Sequence, residues 1–292
     1  MTTSKFQILV LAKQVPDTRN VEKDAMKEDG TINRSALPTI FNPDDLKALE
    51  MALKVKDRIH GAKVTVVTMG PTRAADIIRE SLYRGADDGI VISDRKFAGS
   101  DTLATSYALA TALKKFDNIK LVFSGRQAID GDTAQVGPQT AEKLNMPQIT
   151  YCETLEEVTE DSIVVKRRLD NGCETVRGHF PLLLTVHGNA ADCRPRNAVR
   201  VISNKKACSP SEAKERNFDI NSLPDNIRTK IQEWTADDIN ANPSRLGFAG
   251  SPTKVKNIEN VVLSKKENIT LTDNENDIDN LMKELIKSHI IG

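Results

Sequence analysis

Over residues 7–145 the chain alternates short continuous apolar runs with longer periodic ones, and this rhythm constrains the fold more than any other feature. The continuous runs occupy 7–13, 63–69, 89–93 and 119–124, and β-branched residues dominate the second of them. Between them, 43–61 places Leu46, Leu49 and Leu53 on one helical face with Gly61 as its stop. Gly70-Pro71 punctuates a second strand-to-helix turn, and that helix closes at Gly85. Residues 100–116 are rich in Ala and Leu, and 133–145 completes the series of predicted helices. Strands this uniformly apolar, each followed by a helix, imply an α/β fold with a parallel sheet covered on both faces. Such sheets take ligands outside the carboxyl ends of their strands. The loops after Lys13, Met69, Ser93 and Ser124 are therefore the place to look for a site.

Beyond residue 148 the pattern changes. Runs at 163–166 and 174–179 flank Asp170-Asn171-Gly172 and predict a β-hairpin, since Asn-Gly supplies the positive φ that a two-residue turn needs. Residues 181–186 return to a buried strand. After Asn204 the chain is polar, with Pro210, Pro224, Pro243 and Pro252 scattered through it. Only the end regains helical spacing, in Ile278, Leu281, Met282, Leu285 and Ile286. The expected organisation is an α/β domain over 1–204 and an extended arm over 205–292. That arm has too little apolar content for its own core and is expected to wrap a partner chain and dock its last helix there. Trp234 is expected to anchor a partner contact within the arm. No internal repeat is present.

Composition narrows the function by exclusion. The 292 residues are 39% hydrophobic, enough for one substantial core. Forty-one Lys and Arg against 41 Asp and Glu give zero net charge, which argues against nucleic acid or a membrane surface as partner. No apolar run approaches the about 20 residues of a membrane span. The N-terminus lacks a basic start and a small-residue cleavage site. Cys152, Cys173, Cys193 and Cys208 form no CxxC pair, so the expectation is free thiols in a reducing cytoplasm. His60, His179, His187 and His289 show no metal spacing.

The loop that carries the chemistry runs Ser124, Gly125, Arg126, Gln127, Ala128, Ile129, Asp130, Gly131, Asp132, Thr133, Ala134, Gln135, Val136, Gly137, Pro138. Its glycines permit close backbone approach. Asp132 and Gln135 have capping-box spacing and predict a helix start, whose outward amides favour phosphate. On these grounds the stretch is either a nucleotide loop or an ordinary surface loop. With two aspartates present, backbone amides and Arg126 are the groups to meet a phosphate. Asn42-Pro43 is open in the same way: either a simple helix cap, or a residue that reads a base edge.

The run GRQAIDGDTAQVGPQTAEKLNMPQITY resembles the nucleotide loop of electron-transfer flavoprotein beta subunits. A second match is Val165-x-Arg167-x-x-Asp170-Asn171-Gly172-x-Glu174-x-Val176, followed after four residues by Pro181-x-Leu183-Leu184-Thr185, similar to that family's hairpin signature. Asn171 departs from the acidic residue or glycine usual there. VLAKQVPDT, FNPDDLKALEMAL, MGP and RGADDGI match as well, so the resemblance runs from Ile8 to about Arg200.

The resemblance implies an adenine nucleotide alpha-hydrolase-like fold and an alpha-subunit partner that carries its own FAD. It also implies a second adenine nucleotide in this chain, which is structural AMP in respiratory members. In bifurcating members it is FAD, reduced by NADH and feeding ferredoxin or flavodoxin on one side. The other branch runs through the alpha subunit to an acyl-CoA dehydrogenase or reductase, or a lactate-dehydrogenase-type partner. By motif the implied contacts are Leu11, Lys13, Asn42, Met69 and the loop residues Gly125 to Val136, with Asn42 reading adenine and Arg126 beside the flavin or its phosphates. Ser100, Thr102 and Thr105 at a helix start offer hydroxyl and amide donors for the second phosphate that FAD adds, or Ser100 is simply an N-cap ahead of small residues that pack a helix; this segment resembles the bifurcating group. Arg194 and Arg196 fall in the family's partner-recognition segment and are expected to pair with acidic partner residues. No catalytic side chain is expected, because a flavin carries its own redox chemistry. An ATP-binding stress-type module is the distant alternative. The hairpin and the arm count against it, and AKQVPDT after the first strand rules out an ATP-pyrophosphatase loop.

Overall fold

The computed structural model describes residues 5–17, 37–253, 270–288 and 290–291. The chain opens with β1 (Phe6–Leu11), all of whose residues are buried, as a central parallel strand covered on both faces requires. Two short strands, β2 (Gln14–Pro16) and β3 (Thr39–Phe41), pair antiparallel as a separate ribbon. Next come α1 (Pro43–Arg58), β4 (Ala62–Met69), α2 (Ala75–Arg84) and β5 (Asp88–Ile92). Gly85, at φ 131°, ends α2 where the sequence predicts, and its N–H donates to the Ser81 carbonyl. Then follow α3 (Thr102–Leu113), β6 (Ile119–Gly125) and α4 (Val136–Lys143). The second half adds β7 (Gln148–Val158), β8 (Ser162–Leu169), β9 (Gly172–His179) and β10 (Leu182–Val186). Short helices α5 (Ala198–Asn204), α6 (Pro210–Glu215) and α7 (Asp225–Arg228) lead to β11 (Ile231–Trp234), and α8 (Glu275–Lys287) comes last.

Nine strands form one sheet in the order β11-β5-β4-β1-β6-β10-β7-β8-β9. Strands β11 through β7 run parallel, and β8 and β9 continue the sheet antiparallel. From β1 the chain steps through α1 to β4 and through α2 to β5, then returns across β1 through α3 to β6. Strand order therefore reverses at β1, where open α/β sheets hold their ligands. One face of the sheet packs Leu49, Leu53, Ile78, Leu82 and Phe123, and the other packs Leu109, Leu113, Val122, Leu183 and Trp234.

Three expectations need correction. The hairpin forms, but Leu169 pairs with Gly172, so its two-residue turn is Asp170-Asn171. Of these residues Gly172 alone has positive φ, at 152°, so the glycine's freedom is used at the exit of the turn rather than within it. The helix after the nucleotide loop begins at Val136, three residues later than the capping-box spacing implies. Asp132 adopts a left-handed φ of 50° and accepts from the Gln127 amide instead of capping.

The largest correction concerns the arm. Residues 205–253 do not extend away from the domain, because β11 adds to the β5 edge of the sheet. Trp234 is buried against Phe116, with the Lys115 ammonium over its ring, and so serves this chain's own core. Ala236, Ile239, Ala241 and Leu246 are buried with it. The buried Arg79–Glu212 pair, at 2.5 Å, ties α6 to α2. The compact unit thus runs to Lys256, well past the expected boundary at 204. Residues 257–292 form a second unit, in which α8 buries none of its residues and exposes Ile278, Leu281, Met282 and Ile286. His289 and residues 254–269 lie outside the described residues.

Candidate nucleotide-binding cleft

A cavity of about 770 Å³ opens at the carboxyl ends of β1, β4, β5 and β6. Its lining includes Lys13, Met69, Ser93 and Ser124, one from each loop that the strand rhythm singles out. The volume lies within the range of about 300–1,000 Å³ typical of small-molecule sites.

The start of α1 shapes one wall. Asn42 takes the N-cap place with Pro43 first in the helix, yet its side chain makes no cap bond. Instead its amide donates to the Gln127 carbonyl at 2.8 Å, and its carbonyl oxygen accepts from Ile129 N at 3.2 Å. Asp45 accepts from Gly125 N and from Lys13 N, both at 2.9 Å. A Cβ on Gly125 would stand 2.5 Å from Asp45 Oδ1 and 2.6 Å from Asp45 N, so only glycine fits this approach. Lys13 Nζ closes the far side by pairing with Asp130 at 2.7 Å. The loop then turns through two left-handed residues, Asp132 and Ala134, before α4 begins. An alanine at Ala134 with φ 53° sits in a sparsely allowed region.

The start of α3 shapes the opposite wall. Its N-cap is Asp101, not Ser100: the Asp101 carboxylate accepts from Leu103 N at 2.9 Å and Ala104 N at 3.0 Å. Burial opposes this charge, but the amides of Ala104, Thr253 and Leu103 hold the carboxyl below its ordinary value. Ser100 spends its hydroxyl proton on the Phe97 carbonyl at 2.7 Å. Thr102 donates to Gln135 Oε1 at 3.0 Å, linking the two walls. Gly99, at φ 74°, leaves space that the Phe248 ring fills.

Of nineteen sequence-derived contact residues, all but Asn42 and Ile129 line the cavity. Asn42 is fully buried with both polar groups engaged by the loop backbone, so it holds the loop and presents no edge to a base. Sequence reasoning missed Asp44 and Asp45, whose signal was the pair of acids directly after Asn42-Pro43. Arg126 lines the cavity with its Nε 3.7 Å from Asp44 Oδ2. Both atoms are buried without a hydrogen-bond partner, as is Ser124 Oγ nearby. Burial raises the Asp44 carboxyl, against the pull of Arg126, the Gln127 amide, His187 and Lys47.

Two residues expected to face a partner have partners within the chain. Arg194 pairs with Glu50 at 2.9 Å and Asp57 at 2.8 Å, and Arg196 pairs with Glu80 at 2.8 Å. The four cysteines are free, and burial pushes the Cys152 and Cys193 thiols up to about 12. Among the described residues no three His, Cys, Asp or Glu side chains are placed to hold a metal ion. Among them, too, no helix is long and apolar enough to cross a membrane.

Residues 29–213 match the electron transfer flavoprotein domain. The chain is 44% identical over 251 residues to the electron transfer flavoprotein subunit beta of Clostridium acetobutylicum, covering 86% of each chain. It is 40% identical over 286 residues to the subunit of the same name from Thermoanaerobacterium thermosaccharolyticum, covering 98% of this chain and all of that one. It is also 38% identical over 287 residues to the caffeyl-CoA reductase-Etf complex subunit CarD of Acetobacterium woodii, again covering 98% of this chain and all of that one.

Proposed function

Because the chain belongs to the electron transfer flavoprotein family, as a beta subunit, we propose that its cleft holds an FAD and that it works beside an FAD-bearing alpha subunit. The observation that carries this reading is the reach of the cleft. It continues from the Gly125 loop past Met69 to Ser100, Thr102 and Thr105 at the start of α3. AMP has fewer than half the heavy atoms of FAD and would occupy only part of about 770 Å³. Arg126 Nε and Ser124 Oγ, neither of which makes a hydrogen bond, are donors suited to a ligand rich in acceptors.

When bound, FAD supplies a two-electron acceptor for hydride from NADH and one-electron outlets to ferredoxin or flavodoxin and, through the alpha subunit, to a dehydrogenase or reductase. This chain's residues bind and orient. Asn42 and Asp45 set the loop backbone, Lys13 and Asp130 fasten its tip, and Leu11 and Met69 give an apolar surface for an aromatic ring. The caffeyl-CoA reductase complex named for one relative, and the acryloyl-CoA reductase electron transfer subunit of another, favour an acyl-CoA-type acceptor. The exposed apolar face of α8 supports a partner-binding role for residues beyond 256.

One observation favours a second reading, structural AMP. The Asp101 carboxylate already occupies the first amides of α3 and sets a negative charge where FAD would place its second phosphate. Purification with the alpha partner, denaturation and nucleotide counting decides between them. Two FAD and no AMP per heterodimer supports the first reading; one of each overturns it.

A further inference from the structure

The buried carboxylate of Asp45 stands behind the cleft in a role no sequence motif assigns. It is 7% exposed, and its two oxygens accept from the backbones of two different strand ends, Lys13 after β1 and Gly125 at the end of β6. Its neighbours continue the same work along the loop: the Gln127 amide steadies the Asp44 charge, and Asn42 grips Gln127 and Ile129. Successive residues of one helix start therefore template the first turn of the loop.

We propose that Asp45 is the positioning residue of this cleft: its ionised carboxylate sets the ends of β1 and β6 at the spacing that binds nucleotide, and losing that charge weakens binding. The inference rests on reading the cleft as a nucleotide site. Two N–H donors meet two different oxygens, an arrangement that the carboxylate anion satisfies best because both of its oxygens are full acceptors and neither carries a hydrogen. A proton on either oxygen weakens that oxygen as an acceptor, and an asparagine amide in its place sets an N–H against one of the donors.

Burial works against this charge and pushes the Asp45 carboxyl up to about 7; the amides of Lys13 and Gly125 and the Asn42 side chain pull it down, and Asp44 pushes it up further. The other charged groups facing this corner are Lys47 on α1, Lys13 with Asp130, Arg126 after β6, and His187 after β10 with Glu153 of β7. Burial, then Arg126, holds His187 below its ordinary value.

The signs of two pH dependences then differ. The folded pKa is raised, so the group's contribution to stability is complete below the ordinary value of 3.8 and is lost as pH rises through about 7. Nucleotide binding needs the anion and strengthens over the upper part of that window. A carboxylate kept only for stability would not weaken folding while it strengthens binding.

The test titrates the full-length chain with FAD and, in parallel, with adenosine, neither of which changes charge between about pH 6 and about pH 8.5. The wild-type chain is expected to bind about tenfold more tightly at the upper end. Asp45→Asn is expected to bind about ten- to hundredfold more weakly there, with no pH dependence, and to lose the pH slope of stability through neutrality. A flat wild-type profile, or a variant that binds as tightly as wild type, would overturn the proposal. The wild-type profile needs no variant, so a misfolded variant leaves the test intact. A wild-type chain that binds neither probe at any pH overturns the nucleotide reading itself, a result distinct from binding without pH dependence.

Discussion

The two walls of the cleft are both helix starts, yet they satisfy their backbone donors in opposite ways. At α1 the first-turn side chains point away from their own helix and hold the loop after β6 through Gly125, Gln127 and Ile129. At α3 the Asp101 side chain folds back on its own amides, as an ordinary N-cap does. A helix start can therefore spend its side chains on itself or on a neighbour. The wall that spends them outward is the one whose backbone is shaped for a ligand, while the self-capped wall lines the cleft with the half-buried side chains of Ser100, Thr102 and Thr105.

The largest expected effect comes from Gly125→Ala, where the new Cβ would meet Asp45 N at 2.6 Å and the Asp44 carbonyl carbon at 2.7 Å, backbone atoms that cannot rotate aside. A loss of about 3 kcal/mol is expected in denaturant unfolding. A loss below about 1 kcal/mol would mean the α1 wall yields more easily than its geometry implies. Asn42→Ala strands Gln127 O and Ile129 N. It should cost about 2 kcal/mol of stability and weaken nucleotide binding about tenfold, read by unfolding and by titration.

Asp101→Ala sharpens the contrast because its two effects should diverge. Stability falls by about 1 kcal/mol through the lost cap, while FAD affinity does not fall, since a negative charge beside the helix amides is removed. Weaker FAD binding by this variant would erase the distinction between the walls. The smallest effect is expected from Thr102→Val with Thr105→Val, about a fivefold loss for FAD and none for AMP, measured by competition titration.

Much of this was legible in the chain. The strand rhythm located all four loops that line the cavity, because period and burial are local properties of a parallel strand. The loop from Gly125 to Val136 was legible for the same local reason, a cluster of turn-forming residues directly after an apolar run. The roles of Asn42, Asp44 and Asp45 were not, since the partners of Asn42 lie more than eighty positions away and those of Asp45 lie 32 and 80 positions away. Ser100 stood one residue before the true cap, and no local signal separates Ser-Asp-Thr caps at that spacing.

The C-terminal third shows the limit most clearly. Residues 231–234 and 275–287 both sit in polar surroundings, and sequence alone placed them in one arm. The first became an edge strand beside β5 and buries Trp234; the second buries nothing in this chain. What separates them is an unpaired sheet edge, which saturates the backbone of a short strand whatever its composition.

The sequence by itself therefore determined the α/β class, the position of the cleft and the family, because those rest on periodicity and on contiguous motifs. Only the tertiary structure decided that half of the expected arm belongs to the compact α/β unit, with β11 in its sheet. It alone decided that Asn42 serves the loop rather than a base, and that two acids at a helix start govern the loop backbone. Those outcomes depend on which buried donors and acceptors meet across long separations, where leaving one unpaired costs more than any local preference gains.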